Sequence, residues 1–353
     1  AIVDKVTRHA NPGKLTLADL ANYQPKRRAP LCHDLAAAGK TVEVCGFPPP
    51  SSGAIAVGQI LGILAQTPAA AMKLDGAGLP TADWLHYYTE AARLAFADRA
   101  QYVADPDFVQ PPAGSWMSLL DPAYLKSRAA LIGAQSLKVA QPGQPGALKI
   151  GFAPMPEQPE YGTSHISIVD AHGNALAMTT TIEDAFGARQ MVKGFLLNNE
   201  LTDFSFAPTG ADGQPIANRV QPGKRPRSSM APTLVFEKNA DGSRGPLLMS
   251  GGSPGGALII HYTAKTLHGV LNWGLTPQQA INLPNFGSTN GPSLLEEKKF
   301  PPATVEALRT RGAEVREMNM TSGLQASTRA NVHGKPMWLG GADPRREGVV
   351  LGD

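Results

Sequence analysis

Apolar and polar residues alternate with a period of two in the second half of the chain, which predicts β-strands there. Ile166 and Ile168 alternate with polar residues before a turn at Gly173-Asn174, and Ala175 and Ala177 continue the pattern after it. Two further hairpins are predicted in the same way, one from 234–236 and 247–249 around Asp241-Gly242, the other from 326–332 and 337–339 around Gly334.

Longer apolar segments predict helices between and before these strands. The nearly apolar run from Ala54 to Ala65 is too short to cross a bilayer and is predicted to be a buried helix. The Ala-rich stretch 84–99 places its apolar residues on one stripe, and 255–271 and 277–283 are also predicted helices. Such alternating blocks fit sheets packed between helical layers. The Gly- and Pro-rich stretch 141–162 has little periodicity and is predicted to be a mobile tail.

Composition indicates an ordinary globular protein. The 353 residues are 42% hydrophobic, enough for a sizeable core, and the formal net charge is +3. The densest basic stretch, 224–227, lacks the interleaved aromatic residues of a nucleic-acid surface. We therefore expect no nucleic-acid partner and no membrane span in this chain.

Two features of the first part concern processing and compartment. Cys32 and Cys45 flank a predicted turn at Gly39-Lys40 and could face each other in a hairpin, so a disulfide and two free thiols are both open. The chain starts at Ala1 without a methionine or a signal peptide, and we expect that a natural N-terminal part precedes it.

Thr163 is the strongest candidate for chemistry. It follows Gly162 and stands at the head of the first predicted strand after the Pro-rich stretch, which is where a self-cleaving precursor would carry its nucleophile. Attack of the Thr163 hydroxyl on the Gly162 carbonyl, followed by hydrolysis, would free an α-amine that titrates near ~8 and can act as the base for its own hydroxyl. A threonine that only opens a strand fits the same tripeptide, and the surrounding motifs must decide.

A second apparent nucleophile lies in Gly251-Gly252-Ser253-Pro254-Gly255, which matches the G-x-S-x-G pattern of hydrolases. In that fold the residue after the serine donates a backbone N–H to the oxyanion, and Pro254 has none. The glycine pair Gly255-Gly256 at the start of a predicted helix remains, either as an oxyanion hole or as a plain turn.

Two groups of polar residues could hold the two ends of an amino acid. Glu200 and Asp203 could bind an ammonium group, and Ser228-Ser229 beside a basic stretch could bind a carboxylate. Solvated loops and caps are the alternatives. No Cys, His and carboxylate cluster has the spacing of metal ligands, so we expect no metal and no cofactor.

Taken together, these stretches resemble the γ-glutamyltranspeptidase family of N-terminal-nucleophile hydrolases. The resemblance extends over essentially the whole chain. The residues that carry it are Pro48-Pro49-Pro50-Ser51-Ser52-Gly53, Asp98-Arg99, Asp105-Pro106-Asp107-Phe108, Thr163-Ser164-His165 with Ser167, Val169 and Asp170, Gly173-Asn174-Ala175, Phe186-Gly187, Leu197-Asn198-Asn199, Asp203-Phe204-Ser205, Pro226 with Ser228-Ser229-Met230, Ser253-Pro254-Gly255-Gly256 and Asp343-Pro344-Arg345.

The resemblance implies an α+β fold, the αββα sandwich of two stacked antiparallel sheets between helical layers. Residues 1–162 would be the C-terminal part of the large subunit, mostly helical and without its N-terminal part, and 163–353 would be the small subunit. Both would form one compact unit from the same precursor, in a periplasmic or secreted protein. The implied activity is cleavage of the γ-glutamyl amide of glutathione and related compounds through a γ-glutamyl-threonine ester, with water, an amino acid or a peptide as acceptor.

The resemblance also implies roles for the candidate residues. Thr163 would be nucleophile and base after self-cleavage at Gly162-Thr163. The other implied roles are a hydrogen bond from Thr181 to the nucleophile, binding of the α-ammonium by Glu200 and Asp203, binding of the α-carboxylate by Ser228 and Ser229, and stabilisation of the oxyanion by the amides of Gly255 and Gly256.

Three departures from the family pattern bear on the substrate. Glu183 stands where the family usually has Asn, which adds negative charge at the predicted ammonium site. The segment 206–227, which corresponds to the lid of many members, contains no Tyr. The family's carboxylate-binding arginine belongs to an earlier part of the precursor than this sequence covers.

Two other functions compete with a γ-glutamyl hydrolase or transferase. One is a related acylase acting on a glutaryl side chain, as in β-lactam acylases, whose substrate has no α-ammonium; Glu200 and Asp203 argue against it. The other is a catalytically silent homologue used for binding, against which Thr163, Thr181 and Gly255-Gly256 argue.

Overall fold

The computed structural model describes residues 1–146, 151–158 and 162–352. In this part of the chain the α-helices are α1 (Ile2–Thr7), α2 (Leu17–Asn22), α3 (Gly53–Leu64), α4 (Ala82–Tyr102), α5 (Pro122–Ala129), α6 (Ile259–Leu271), α7 (Pro277–Asn282) and α8 (Pro302–Thr310). The strands are β1 (Leu31–Ala37), β2 (Lys40–Gly46), β3 (Ser164–Val169), β4 (Ala175–Thr180), β5 (Met191–Val192), β6 (Phe195–Leu196), β7 (Thr233–Lys238), β8 (Arg244–Gly252), β9 (Phe286–Gly287), β10 (Ser293–Glu296), β11 (Val315–Met318), β12 (Gln325–Val332) and β13 (Lys335–Ala342).

A six-stranded antiparallel sheet in the order β1-β2-β7-β8-β12-β13 forms the centre of the molecule. The β2–β7 pairing, with Val44 opposite Val235, joins strands from before and after Thr163 in one sheet. Backbone hydrogen bonds therefore connect the two parts of the chain that cleavage at Gly162-Thr163 would separate.

Helices α3, α4 and α6 pack together, and α3 and α6 contact the central sheet. All twelve residues of α3 are buried, as the apolar run predicts, and its one polar side chain, Gln59, donates to the carboxylate of Asp98 at 2.8 Å. The helices share one apolar core with sheet residues such as Val44, Val235 and Met249. Packing within this helical layer fixes the position of α6, which in turn contacts β8.

The hairpin β3–β4 packs on the central sheet with its polar side inward. The His165 ring hydrogen-bonds Thr179 Oγ1 at 2.8 Å and lies against Gly252 of β8, where a Cβ would come within 2.5 Å of the ring. Ile166 and Ile168, on the opposite side, are 40% and 51% exposed. The predicted strands are confirmed, but alternation gave no sign that the polar face would be the inner one.

The other predicted hairpins and helices are confirmed with small shifts at their ends. The largest shift concerns the helix predicted at 255–271, because α6 begins only at Ile259, after a short 3₁₀ turn. Cys32 and Cys45 are opposite each other in the β1–β2 hairpin and form a disulfide.

Residues 147–150 and 159–161 of the predicted tail lie outside the described residues. Within the described stretch 151–158, Ala153 and Met155 are buried and pack against Ile216. None of the described helices has the length and hydropathy needed to span a membrane.

Candidate active site

Thr163 stands at the junction between Gly162 and β3, in a strained backbone conformation. Its φ is +93°, a region that a β-branched residue rarely adopts, and the φ of Gly162 is +79°. A side chain at Gly162 is impossible, because a Cβ there would lie 1.6 Å from the carbonyl oxygen of Glu183. The chain therefore presents Thr163 from a bend that requires glycine before it.

Thr163 faces a narrow cleft shared with most of the other candidate residues. The cleft joins residues from five separate stretches of sequence. Its lining residues are Thr163, Thr181, Glu183, Asp203, Ser228, Ser229, Met230, Gly256 and Ile259.

One side of the cleft is acidic. Glu183 is buried and its carboxylate accepts a hydrogen bond from the Asn199 side chain, while its backbone N–H donates to Thr181 Oγ1 at 2.8 Å. Asp203 ends a short 3₁₀ helix that starts at Glu200. Glu200 lies beside the cleft lining rather than in it, and it is partly buried.

The Glu200 carboxyl is strongly perturbed. Its Oε1 is buried and has no hydrogen-bond partner in the described part of the chain. Burial, together with the negative charge of Glu183, raises the pKa of Glu200 to about 7. A cation at this position would relieve both effects, because it would compensate the lost hydration and the repulsion.

The other side of the cleft offers hydroxyl groups. Ser228 Oγ accepts from the backbone N–H of Met230 at 3.0 Å, so its own hydrogen can be donated to a ligand. The Ser228 backbone is fixed against residues 50–52, with Ser52 N–H and Oγ both donating to the Ser228 carbonyl at 2.7 and 2.8 Å. Hydroxyl donors held in this way suit a carboxylate.

The loop between β8 and α6 approaches the scissile position. The Gly255 N–H donates to the carbonyl oxygen of Gly162 at 3.3 Å, and Gly256 lines the cleft. Gly255 has a φ of +137°, and a Cβ there would lie 2.5 Å from the Tyr262 ring. The loop can therefore bring backbone amides to an oxygen beside Thr163 only because glycine occupies this position.

Ser253 is fully buried, donates to the Pro254 carbonyl at 2.7 Å and accepts from the Gly323 N–H at 3.3 Å. It does not line the Thr163 cleft. This arrangement supports the prediction that the G-x-S-x-G match is not a nucleophile.

Sequence reasoning missed three kinds of contribution. Asn199, which holds Glu183, and Arg99, which donates to Ser229 Oγ, were noticed only as parts of matching motifs. Met230 and Ile259 close the cleft with apolar surface, and an apolar residue next to a motif gives no distinctive signal.

Comparison with known proteins identifies the family of this chain. The model of the family described as Gamma-glutamyltranspeptidase matches residues 1–353. The glutathione hydrolase proenzyme of Escherichia coli (strain K12) is 37% identical over 316 residues, which are 86% of this chain and 50% of the relative. The acylase ACY 1 proenzyme of Pseudomonas sp. (strain SE83) is 31% identical, with 90% and 51% covered.

A solved structure shows the same fold. The cephalosporin acylase from Bacillus halodurans superposes with a TM-score of 0.77 at 24% identity, covering 99% of this chain and 58% of that one. This supports the predicted α+β sandwich with stacked antiparallel sheets, which the hairpin on the central sheet also displays. The chain spans about half the length of the curated relatives above. By sequence along its whole length, the chain belongs to the gamma-glutamyltranspeptidase family.

Proposed function

We propose that the protein containing this chain is a γ-glutamyl hydrolase or transferase, acting on glutathione and related amides through a γ-glutamyl-Thr163 ester. Water, an amino acid or a peptide would accept the acyl group. The observation that carries the proposal is that one cleft joins the Thr163 hydroxyl to an acidic side, with Glu183 and Asp203, and a hydroxyl side, with Ser228 and Ser229.

These two sides suit the head group of an amino acid. The α-ammonium of a γ-glutamyl compound carries three donors and a positive charge, which the carboxylates of Asp203, Glu183 and nearby Glu200 would accept. The α-carboxylate would accept from Ser228 and Ser229. Fixing both groups orients the γ-carbonyl toward Thr163, so binding energy is converted into alignment of the reacting atoms.

The backbone around Thr163 supports self-cleavage. Attack of Thr163 Oγ1 on the Gly162 carbonyl carbon would break the peptide C–N bond, which frees the Thr163 amine and forms an ester. Water would then hydrolyse the ester to a Gly162 carboxylate and restore the Thr163 hydroxyl. The positive φ of Thr163 stores strain that this step would relieve, and the Gly255 N–H already donates to the carbonyl oxygen that would become the oxyanion. Thr181 and the Gly256 amide would complete the catalytic groups.

The Cys32–Cys45 disulfide supports an oxidising compartment, since such bonds persist mainly in periplasmic and secreted proteins. We propose that location for the mature protein. The two fragments of the precursor would be its large and small subunits.

Intact-mass measurement of the full-length protein, combined with an assay of γ-glutamyl and glutaryl anilides, tests the proposal. We expect two fragments that meet at Gly162-Thr163 and preferential hydrolysis of the γ-glutamyl compound. The Thr163→Ala variant should remain one chain without activity. Cleavage that persists in this variant would show that Thr163 is not the processing nucleophile.

A glutaryl acylase is the second candidate, because relatives and the solved structure above include acylases. A glutaryl group has the same chain length but no α-ammonium, so it would leave the acidic side of the cleft without a partner. Faster hydrolysis of the glutaryl anilide than of the γ-glutamyl anilide would favour this alternative.

A further inference from the structure

Arg99 connects the helical layer to the hydroxyl side of the cleft. It lies in the last turn of α4 and is 6% exposed. Its Nε donates to Ser52 Oγ at 2.8 Å, and its Nη2 donates to Ser229 Oγ. Ser52 and Ser229 are themselves buried. One planar guanidinium thus reaches two serines that are far apart in the sequence.

The hydrogen-bonding capacity of these groups fixes the direction of each bond. A guanidinium only donates, so both serine oxygens are acceptors toward Arg99. Ser52 uses its own hydrogen to donate to the Ser228 carbonyl at 2.8 Å. Ser229 has one hydroxyl hydrogen, and because its oxygen accepts from Arg99, that hydrogen is directed away from the guanidinium. Ser229 lines the Thr163 cleft, which is the side from which a ligand would approach its hydroxyl.

We propose that Arg99 is a positioning residue for the carboxylate side of the cleft, orienting Ser229 as a donor to the substrate α-carboxylate and fixing Ser228 through Ser52. This inference rests on the proposed function. Arg99 acts through Ser229 and Ser52, and hydroxyl donors held in a fixed direction favour a carboxylate over a neutral group of the same size.

Inhibition by glutamate and by isoglutamine tests the role, because isoglutamine replaces the α-carboxylate with a neutral carboxamide and leaves the ammonium intact. The inhibition constants are measured against hydrolysis of a γ-glutamyl anilide by the matured full-length protein. We expect Arg99→Lys to weaken glutamate roughly 10- to 100-fold, as for loss of a hydrogen bond to a charged group, and isoglutamine much less. The preference for glutamate over isoglutamine should therefore fall by at least several-fold.

Arg93→Lys is the matched control, since Arg93 is a buried arginine of the same helix that donates to Ser293 Oγ at 2.9 Å and does not line the cleft. Any loss in this variant should affect both inhibitors equally. Arg99→Lys and Ser229→Ala together should reduce the preference by clearly less than the sum of their separate effects, because Arg99 acts partly through Ser229, and the remaining effect of Arg99→Lys passes through Ser52. Ser52→Ala should reduce the same preference, and it replaces Arg99→Lys as the test if the Arg99 variants fail to fold.

An unchanged preference for glutamate in Arg99→Lys, or in Ser52→Ala if that variant must serve, overturns the inference. Additive effects of Arg99→Lys and Ser229→Ala overturn it as well. A wild-type protein that matures but does not hydrolyse the γ-glutamyl anilide contradicts the proposed function instead, so the two failures are distinguishable.

Discussion

Three carboxylates surround the position where a single ammonium group would bind. Glu183 and Asp203 line the cleft, and the pKa of Glu200 is raised to about 7 by burial and by the charge of Glu183. At neutral pH a proton on Glu200 reduces the repulsion between the carboxylates of Glu200 and Glu183, and a bound ammonium would reduce the same repulsion. The replacement of the family's usual Asn by Glu183 thus changes the electrostatics of the whole acidic side.

The pH dependence of ligand binding tests this coupling. Glu200 is protonated below its pKa and loses its negative charge, so the inhibition constant of glutamate should rise as the pH falls through about 7. In Glu183→Gln the pKa of Glu200 should be lower, because one of its two causes is removed, and the rise should begin at lower pH. Glutarate, which lacks the ammonium, should not follow this profile. An unchanged profile in Glu183→Gln contradicts the coupling.

Asp203 provides a second test of the acidic side. Asp203→Ala should lose roughly 2 to 4 kcal/mol of transition-state binding toward a γ-glutamyl anilide, the range for a buried charge-assisted contact. The loss is measured as the ratio of kcat/KM between wild type and variant. A glutaryl anilide should be much less affected, and equal losses for both substrates would indicate a structural role.

At the scale of elements, the loop between β8 and α6 brings backbone amides to Thr163. The strand ends at Gly252, where the absence of a side chain leaves room for the His165 ring, and the helix begins only at Ile259. The residues between them are freed from both hydrogen-bond ladders, so the Gly255 N–H can turn to the carbonyl of Gly162. The end of the strand, the turn and the start of the helix together set the position of the Gly255 amide.

Substitution of the loop glycine tests this geometry. Gly255→Ala should lower kcat on the order of 10²-fold and slow the appearance of the two fragments, because a Cβ would meet the Tyr262 ring and displace the amide. Gly242→Ala is the control, since Gly242 also has a positive φ but has open space around its Cβ position. Ser253→Ala should keep most of the activity. Normal turnover in Gly255→Ala would exclude this amide from the oxyanion site.

For the whole molecule, both sides of the Gly162-Thr163 bond share one sheet and one core. Strands β2 and β7 pair from Val42 to Gly46, and helices α3 and α4 share a core with α6. Cleavage of a single peptide bond changes none of these contacts.

The cleaved protein should therefore behave as one particle. We expect a single peak in native size-exclusion chromatography and two bands after denaturation. Separation of the fragments without denaturant would mean that the shared sheet does not hold them together. The uncleaved Thr163→Ala variant gives the reference elution volume.

Local pattern and chemistry determined much of this protein from the sequence alone. Alternation gave the hairpins, the apolar run gave the buried helix α3, and Pro254 argued against Ser253 as a nucleophile because a proline has no N–H to donate. These conclusions rest on residues that are close in the sequence, which is why they could be drawn before any tertiary contact was known. The motifs also gave the family.

The tertiary structure decided the rest. It placed the polar face of β3 against the central sheet, because Ser167 accepts from Ser250 of β8 and the His165 ring packs against Gly252 of the same strand. It brought Arg99 of α4 to Ser229, 130 positions away in the chain. Charge coupling and hydrogen-bond direction depend on distances in space between residues remote in sequence, and only the packing of helices on the sheet sets those distances.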